Sequence, residues 1–308
     1  MKILSRDCHV VCAKPYLPPE EMVQLFHEIK PDALLVRMGK ITKEVITASP
    51  NLKVIAKHGT GVDAIDIKTA TRLKIPVLIT PYANYEAVAE HVLGVMLAMA
   101  KDIPRLDGRI RQGHWDKPKY RGVELKNKTL GIIGFGRIGR RVLELTAPMG
   151  MKIIVFDPVI RSEDIPPDII RAGYLTDLLK KADIISIHCP LTNKTRHLID
   201  GDALKLMKKS AWLINTARGG IVDEAALIDA VMKNHIAAAA LDTYESEPPG
   251  KENPLLSLDR IILTPHIAGV TKESFARMGT AAASNIVTIL KEELPDAETV
   301  VNPESLTN

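Results

Sequence analysis

The sequence predicts an α/β protein built from two doubly wound parallel-sheet domains, and three observations carry that reading. Short apolar, β-branched runs alternate with helix-length segments from end to end, the pattern of parallel strands covered by helices. A polar, aromatic-marked stretch, "RIRQGHWDKPKYRGVELKNK", interrupts the series at residues 109–128, and a second series begins after it. With 308 residues, 46% of them hydrophobic and 25% charged, the chain is of average globular composition and long enough for two cores.

In the first series the runs "KIL", "ALLVR", "LKVIAKH" and "IPVLIT" read as strands, with "PEEMVQLFHEIK" as an intervening helix. Next comes a long apolar helix from about residue 85 to 102, within "PYANYEAVAEHVLGVMLAMAKDIPRL". The second series supplies the strands "TLGIIG", "KIIVFD", "DIISIH", "AWLINT", "AAAALD" and "RIILTP". The stretch "TKESFARMGTAAASNIVTILKEEL" closes the chain with a helix for which Thr271 is the expected N-cap. The expected division is residues 1–100 plus 285–308 for one domain and 101–284 for the other, joined by the two long helices. A cleft between two such domains is the usual place for a ligand.

Composition narrows the function classes. The net charge of +4 is spread along the chain, which argues against nucleic acid as a partner. Cys8, Cys12 and Cys189 form no C-x-x-C pair, no metal set and no disulfide framework, as expected of a cytoplasmic protein. "MKILSRD" carries no signal-peptide apolar core, and no uncharged apolar run reaches the roughly 18 residues that cross a bilayer.

"LGIIGFGRIGR" sets Gly134, Gly136 and Gly139 in G-x-G-x-x-G spacing between an apolar strand and a helix. The first glycine makes the tight turn, the second clears space for a pyrophosphate, and the third lets helix and strand pack closely. Helix N-terminal amides then meet the phosphates. The next strand ends in Asp157, 157 − 139 = 18 residues on, where a carboxylate holds a ribose diol and repels a 2′-phosphate. The cofactor expected is therefore NAD, with nearby Arg161 as the residue that speaks for NADP. A methyltransferase uses a similar loop and ribose ligand, so the reaction must be read from other residues.

In open parallel sheets ligands bind beyond the carboxyl ends of the strands. Four such ends, "SIHCPLT", "LINTARGG", "ALDTYESEPP" and "ILTPHIAG", supply His188, Arg218, Asp242, Glu247 and His266. Arg218, between a strand and two glycines, offers a planar fork for a carboxylate. Glu247, stiffened by two following prolines, is a candidate partner for His266. A carboxylate beside an imidazole favours its protonated, donating form.

These motifs together resemble the D-isomer-specific 2-hydroxyacid dehydrogenases, the group that holds D-3-phosphoglycerate dehydrogenases, hydroxypyruvate and glyoxylate reductases, and D-lactate dehydrogenases. "KHGTGVDAID", "AEHVLGVMLAMA", "LGIIGFGRIGR", "HCPLT", "INTARGGIVDEAAL", "ALDTYESEPP" and "LTPHIAG" occur in the family's order over nearly the whole chain. The resemblance implies a flavodoxin-like substrate domain and a Rossmann NAD-binding domain. It makes Arg218 the residue that binds and polarises a 2-oxo acid, His266 the acid/base, and Glu247, which directly precedes a proline, rather than Glu245, its partner. It maps substrate contacts to Thr60, Gly61 and Val62. Its NAD contacts map to Gly134, Gly136, Arg137, Ile138, Gly139, Asp157, His188, Cys189, Pro190, Thr195, Thr216, Ala217, Asp242 and Gly269. His91, in "AEH", reads as structural.

Lys57-His58 stands where many phosphoglycerate dehydrogenases carry Arg-Ala, and Glu247 stands where formate dehydrogenases carry glutamine. Arg37, Lys57, His58 and Arg121 are the cationic candidates for a substrate phosphate. The resemblance also implies a homodimer, with the region around "MLAMAKDIPRLDGRIRQGHW" as interface, and closure of the domains over a small 2-oxo or 2-hydroxy acid. The alternative function is a dinucleotide-sensing binding protein of the corepressor type on the same fold.

Overall fold

The computed structural model describes residues 3–307. The chain forms two compact units, Met1–Asn84 with Thr271–Asn308, and Tyr85–Val270.

The first unit is built on a parallel sheet of β1 (Ala33–Val36), β2 (Val54–Lys57) and β3 (Val77–Leu78), in that order. Neighbouring residues of the central strand enter different cores, Ile55 with Met22, Phe26 and Val45, and Val54 and Ala56 with Ala282, Ala283 and Ile286. This follows from the two-residue period of a strand covered on both faces. Small side chains at Ala282 and Ala283 let the helix Lys272–Leu290 lie close to the sheet. That helix starts where expected: Thr271 Oγ1 accepts the Ser274 N–H (3.0 Å) and Ser274 Oγ accepts the Thr271 N–H (2.8 Å), a reciprocal capping box.

Of the expected strand at "KIL", Lys2 lies outside the described residues, and Ile3 and Leu4 are not in a strand. Leu4–Asp7 is a single helical turn, and Leu4 is buried in the core that contains Val54, Leu78 and Ile286. Two apolar residues after a lysine are too few to show a period.

The second unit holds a seven-stranded, wholly parallel sheet. Its strands are β4 (Thr129–Ile133), β5 (Lys152–Phe156), β6 (Ile170–Arg171), β7 (Ile184–Ile187), β8 (Trp212–Asn215), β9 (Ala238–Leu241) and β10 (Ile261–Leu263). They lie in the order β6-β5-β4-β7-β8-β9-β10. The order reverses direction between β4 and β7, and the crevice outside that switch point is where such sheets take ligands. The expected boundaries at 100 and 285 fall inside long helices, whereas the units divide at 84/85 and 270/271. Ala89, Val92 and Met96 of the helix Tyr85–Lys101 share a core with Leu130, Ile132 and Val142, which makes that helix part of the second unit. No helix among the described residues is long and apolar enough to cross a membrane.

Candidate active site

The turn after β4 is shaped by its glycines. Gly134 has φ +90°, and a Cβ there would stand 2.7 Å from the Cys189 nitrogen. A Cβ on Gly139 would lie 2.3 Å from the Gly134 carbonyl oxygen, so only glycine lets the helix Arg137–Thr146 start this close to the strand. Around Gly136, the N-cap, nothing stands within 4 Å of a Cβ position, and no side chain caps the helix. The space and the uncapped amides fit a phosphate.

Asp157 closes the neighbouring loop. Its Oδ2 accepts the Phe135 N–H (2.8 Å), and its Oδ1 accepts those of Val159 (2.9 Å) and Ile160 (3.2 Å). The carboxylate thus ties the glycine turn to the end of β5. At the end of β7, Ser186 Oγ lies 2.9 Å from His188 Nε2, while His188 Nδ1 is buried with no partner. Burial pushes the imidazole down to about 3, so it is neutral. Thr216 Oγ1, after β8, is likewise buried and unpartnered. Two orphaned polar atoms beyond adjacent strand ends suit a polar ligand laid across them, and together with the glycine turn they fit a dinucleotide. Burial also pushes the Cys189 thiol up to about 11, which suits packing rather than thiolate chemistry. The Thr195 hydroxyl is spent within its own loop, donating to the Pro190 carbonyl (2.6 Å) and accepting the Thr192 N–H (2.7 Å).

Arg218 follows β8 in extended backbone, its fork half-buried and bonded in part to the Ala217 carbonyl (2.6 Å). Asn215 sets this turn: its amide donates to the Arg218 carbonyl (2.9 Å) and its Oδ1 accepts the Ala217 N–H (3.0 Å). Gly219 must be glycine, because a Cβ there would sit 1.9 Å from the Tyr244 carbonyl carbon.

Glu247 and His266 meet. Oε2 of the carboxylate lies 2.7 Å from Nδ1 of the ring, leaving Nε2 as the ring atom for chemistry. Glu245 turns away and pairs with His197 at 2.8 Å. Burial works to raise the Glu247 carboxyl, but hydrogen bonds from His266 and the Tyr244 N–H, with the charges of His266 and Arg218, outweigh it and hold the group below its usual value. Glu247 is therefore a carboxylate at neutral pH, and Arg218 is near enough to act on it.

Asp242 is 2% exposed and accepts three hydrogen bonds, from Thr264 Oγ1 (2.6 Å), Ile267 N (2.9 Å) and Ala268 N (2.8 Å). Tyr244 OH donates to the Thr264 carbonyl (2.9 Å). These bonds clasp the loop that carries His266 to the end of β9. Asn215, Tyr244 and Thr264 were not singled out from the sequence. The available signal was a polar residue at the inner end of an apolar run, as in "WLINT" and "IILTP".

In the first unit, Gly59 has φ +120° and its N–H donates to Thr80 Oγ1 (3.0 Å), leaving Thr60 exposed beside half-buried Gly61 and Val62. Three of the four cationic candidates gather beyond β1 and β2. The Arg37 guanidinium lies 4.8 Å over the Phe275 ring, His58 packs on the same ring at 4.8 Å, and Lys57 Nζ donates to the Arg37 carbonyl (2.7 Å). Arg121 belongs to the second unit, where it bonds the Tyr120 carbonyl (2.7 Å).

Comparison with known proteins places this geometry. Residues 93–268 match the family described as D-isomer specific 2-hydroxyacid dehydrogenase, NAD binding domain. The D-3-phosphoglycerate dehydrogenase of Methanocaldococcus jannaschii is 45% identical over 288 residues, 93% of this chain, which spans 54% of that relative's length. The glyoxylate reductase of Thermofilum pendens is 42% identical over 314 residues, covering 99% of this chain and 92% of the relative. The D-lactate dehydrogenase of Aquifex aeolicus, solved with NAD and lactic acid, superposes with a TM-score of 0.81 at 31% identity, covering 93% of this chain and 89% of that one. The chain belongs to the D-isomer specific 2-hydroxyacid dehydrogenase family, and its second unit contains the family's NAD-binding domain.

Proposed function

We propose that the protein interconverts a small D-2-hydroxy acid and its 2-oxo acid, of the 3-phosphoglycerate, hydroxypyruvate or glyoxylate type, with NAD as cofactor. The observation that carries this reading is the 2.7 Å Glu247–His266 pair, with Arg218 acting on the same carboxylate. NAD would be held by the Gly134–Gly139 turn, Asp157, His188 and Thr216, and when bound it supplies or accepts the hydride at the substrate's C2.

The protein's own groups manage charge and protons. In reduction, negative charge develops on the carbonyl oxygen. Arg218 binds the substrate carboxylate and polarises that carbonyl, and His266 Nε2 gives the oxygen its proton. Glu247 holds the opposite ring nitrogen and stabilises the imidazolium that donates. In oxidation the same nitrogen takes the hydroxyl proton. Amides of Thr60, Gly61 and Val62 are further carboxylate donors in this reading.

The homologues' names leave the substrate open among phosphorylated and unphosphorylated acids. The test is NADH oxidation against hydroxypyruvate, glyoxylate, pyruvate and phosphohydroxypyruvate, with NADPH in parallel. Turnover with one acid identifies the substrate class, and turnover with none while NADH binds sinks the dehydrogenase reading.

We also propose a cytoplasmic homodimer. The helix Ile103–Arg111 buries none of its residues, and Ile103, Ile110 and Trp115 are exposed along this segment. Sedimentation at the monomer mass of 33.8 kDa would contradict the dimer.

A further inference from the structure

We propose that His91 is a positioning residue for the loop that carries His266, acting through Thr264 and Asp242. The inference rests on the reading of His266 as the acid/base group.

His91 lies on the helix Tyr85–Lys101, whose other inward residues are apolar: Ala87, Val88, Ala89, Val92, Met96 and Ala100. A half-buried imidazole among them needs a reason. Its Nε2 stands 3.3 Å from Thr264 Oγ1. The Thr264 hydroxyl in turn lies 2.6 Å from Asp242 Oδ1, and a carboxylate oxygen can only accept, so the hydroxyl proton is committed there. The remaining role for the Thr264 oxygen towards His91 is as acceptor, which assigns the proton to Nε2 and gives the relay one direction: His91 N–H to Thr264 O–H to Asp242. Val95, Ile214 and Ile262 line the cleft around this relay, where an unmade hydrogen bond is costly.

The far end of the relay brackets His266. Asp242 takes the Thr264 hydroxyl on one side and the Ile267 and Ala268 amides on the other. Between these anchors His266 has φ +53°, a conformation that a non-glycine residue keeps only when its surroundings impose it. Ring position at His266 therefore depends on anchors outside the residue, and His91 is the most remote of them. It lies 266 − 91 = 175 residues away in sequence.

The test compares His91→Leu, which removes the donor, with His91→Gln, which keeps an N–H of similar reach, and with Thr264→Val. His91→Leu should lower kcat about 10- to 100-fold, the scale of a small misplacement of a catalytic group, with KM for the 2-oxo acid within about twofold of wild type. Amide hydrogen exchange at Ile267 and Ala268 should speed up about tenfold, and His91→Gln should restore both measures. In the Thr264→Val background, His91→Leu should add nothing. Wild-type exchange in His91→Leu, failure of His91→Gln to rescue, or an added loss in the double variant would each overturn the relay. If the wild type turns over no 2-oxo acid, the acid/base reading fails, while the exchange measurement still decides whether His91 anchors the loop.

Discussion

His266 Nδ1 lies 2.7 Å from Glu247 Oε2, a bond between loops that follow two adjacent strands, β9 and β10. The imidazole is thereby gripped at one nitrogen and open at the other. His266→Ala should lower kcat by about 10²- to 10⁴-fold, the usual contribution of a general acid, while NADH binding followed by fluorescence stays within about twofold of wild type. Near-normal turnover would remove His266 from the mechanism. Reduction needs the imidazole protonated and oxidation needs it neutral, so the two directions should respond oppositely to rising pH. In Glu247→Gln the grip on Nδ1 loses its charge, so kcat should fall with NADH binding unchanged, and an unchanged kcat would leave Glu247 without a role in the mechanism.

The glycine turn separates packing from ligand contact. Gly139→Ala meets backbone at 2.3 Å, so it should lower the unfolding midpoint with or without cofactor. Gly136→Ala has open space and a φ of −75°, so its stability should match wild type while NADH affinity falls. Calorimetric titration beside thermal unfolding checks both, and undiminished affinity in Gly136→Ala would mean that no phosphate approaches there.

Asp242→Asn exchanges an acceptor for an amide that faces N–H donors. Leaving one buried donor unsatisfied costs about 1–3 kcal/mol, so the denaturation midpoint should fall and, with the His266 loop loosened, so should kcat. Unchanged midpoint and rate would show that the three bonds to Asp242 are dispensable.

His188 makes stability depend on pH. Its imidazole has a folded value pushed down to about 3 from an ordinary 6.5, so the unfolded chain binds the extra proton between those limits. Its contribution is fully present above pH about 6.5 and is lost progressively as pH falls towards 3. His188→Gln should flatten that limb. Denaturant midpoints at pH 7.5 and 4.5 test this, and an equal drop in wild type and variant would refute it.

Much of the site was legible because its residues end apolar runs. His188, Arg218, Asp242 and His266 are punctuation marks in the pattern, and sheet topology carries every such mark to the same edge. Their partners were less legible. Asp242, expected beside the cofactor, spends its carboxylate on Thr264, Ile267 and Ala268. Asn215 and Tyr244 act on backbone groups of Ala217, Arg218 and Thr264, and the side-chain pattern does not show which backbone groups a side chain will reach. Ile3 and Leu4 of the "KIL" run form no strand, because so short a run carries no periodic signal.

The sequence by itself determined the alternation of strands and helices, the glycine turn with Asp157 after it, and the set of polar residues at strand ends. Those features follow from hydrophobic period and turn chemistry, which act over a few neighbouring residues. Tertiary structure alone decided that Glu245 turns away to His197, that Asp242 clasps the loop beside His266, and that the helix Tyr85–Lys101 joins the second unit. The reason is register: pairing Leu241 with Leu263 sets Asp242 next to Thr264, and no local propensity specifies a pairing between residues that far apart in the chain.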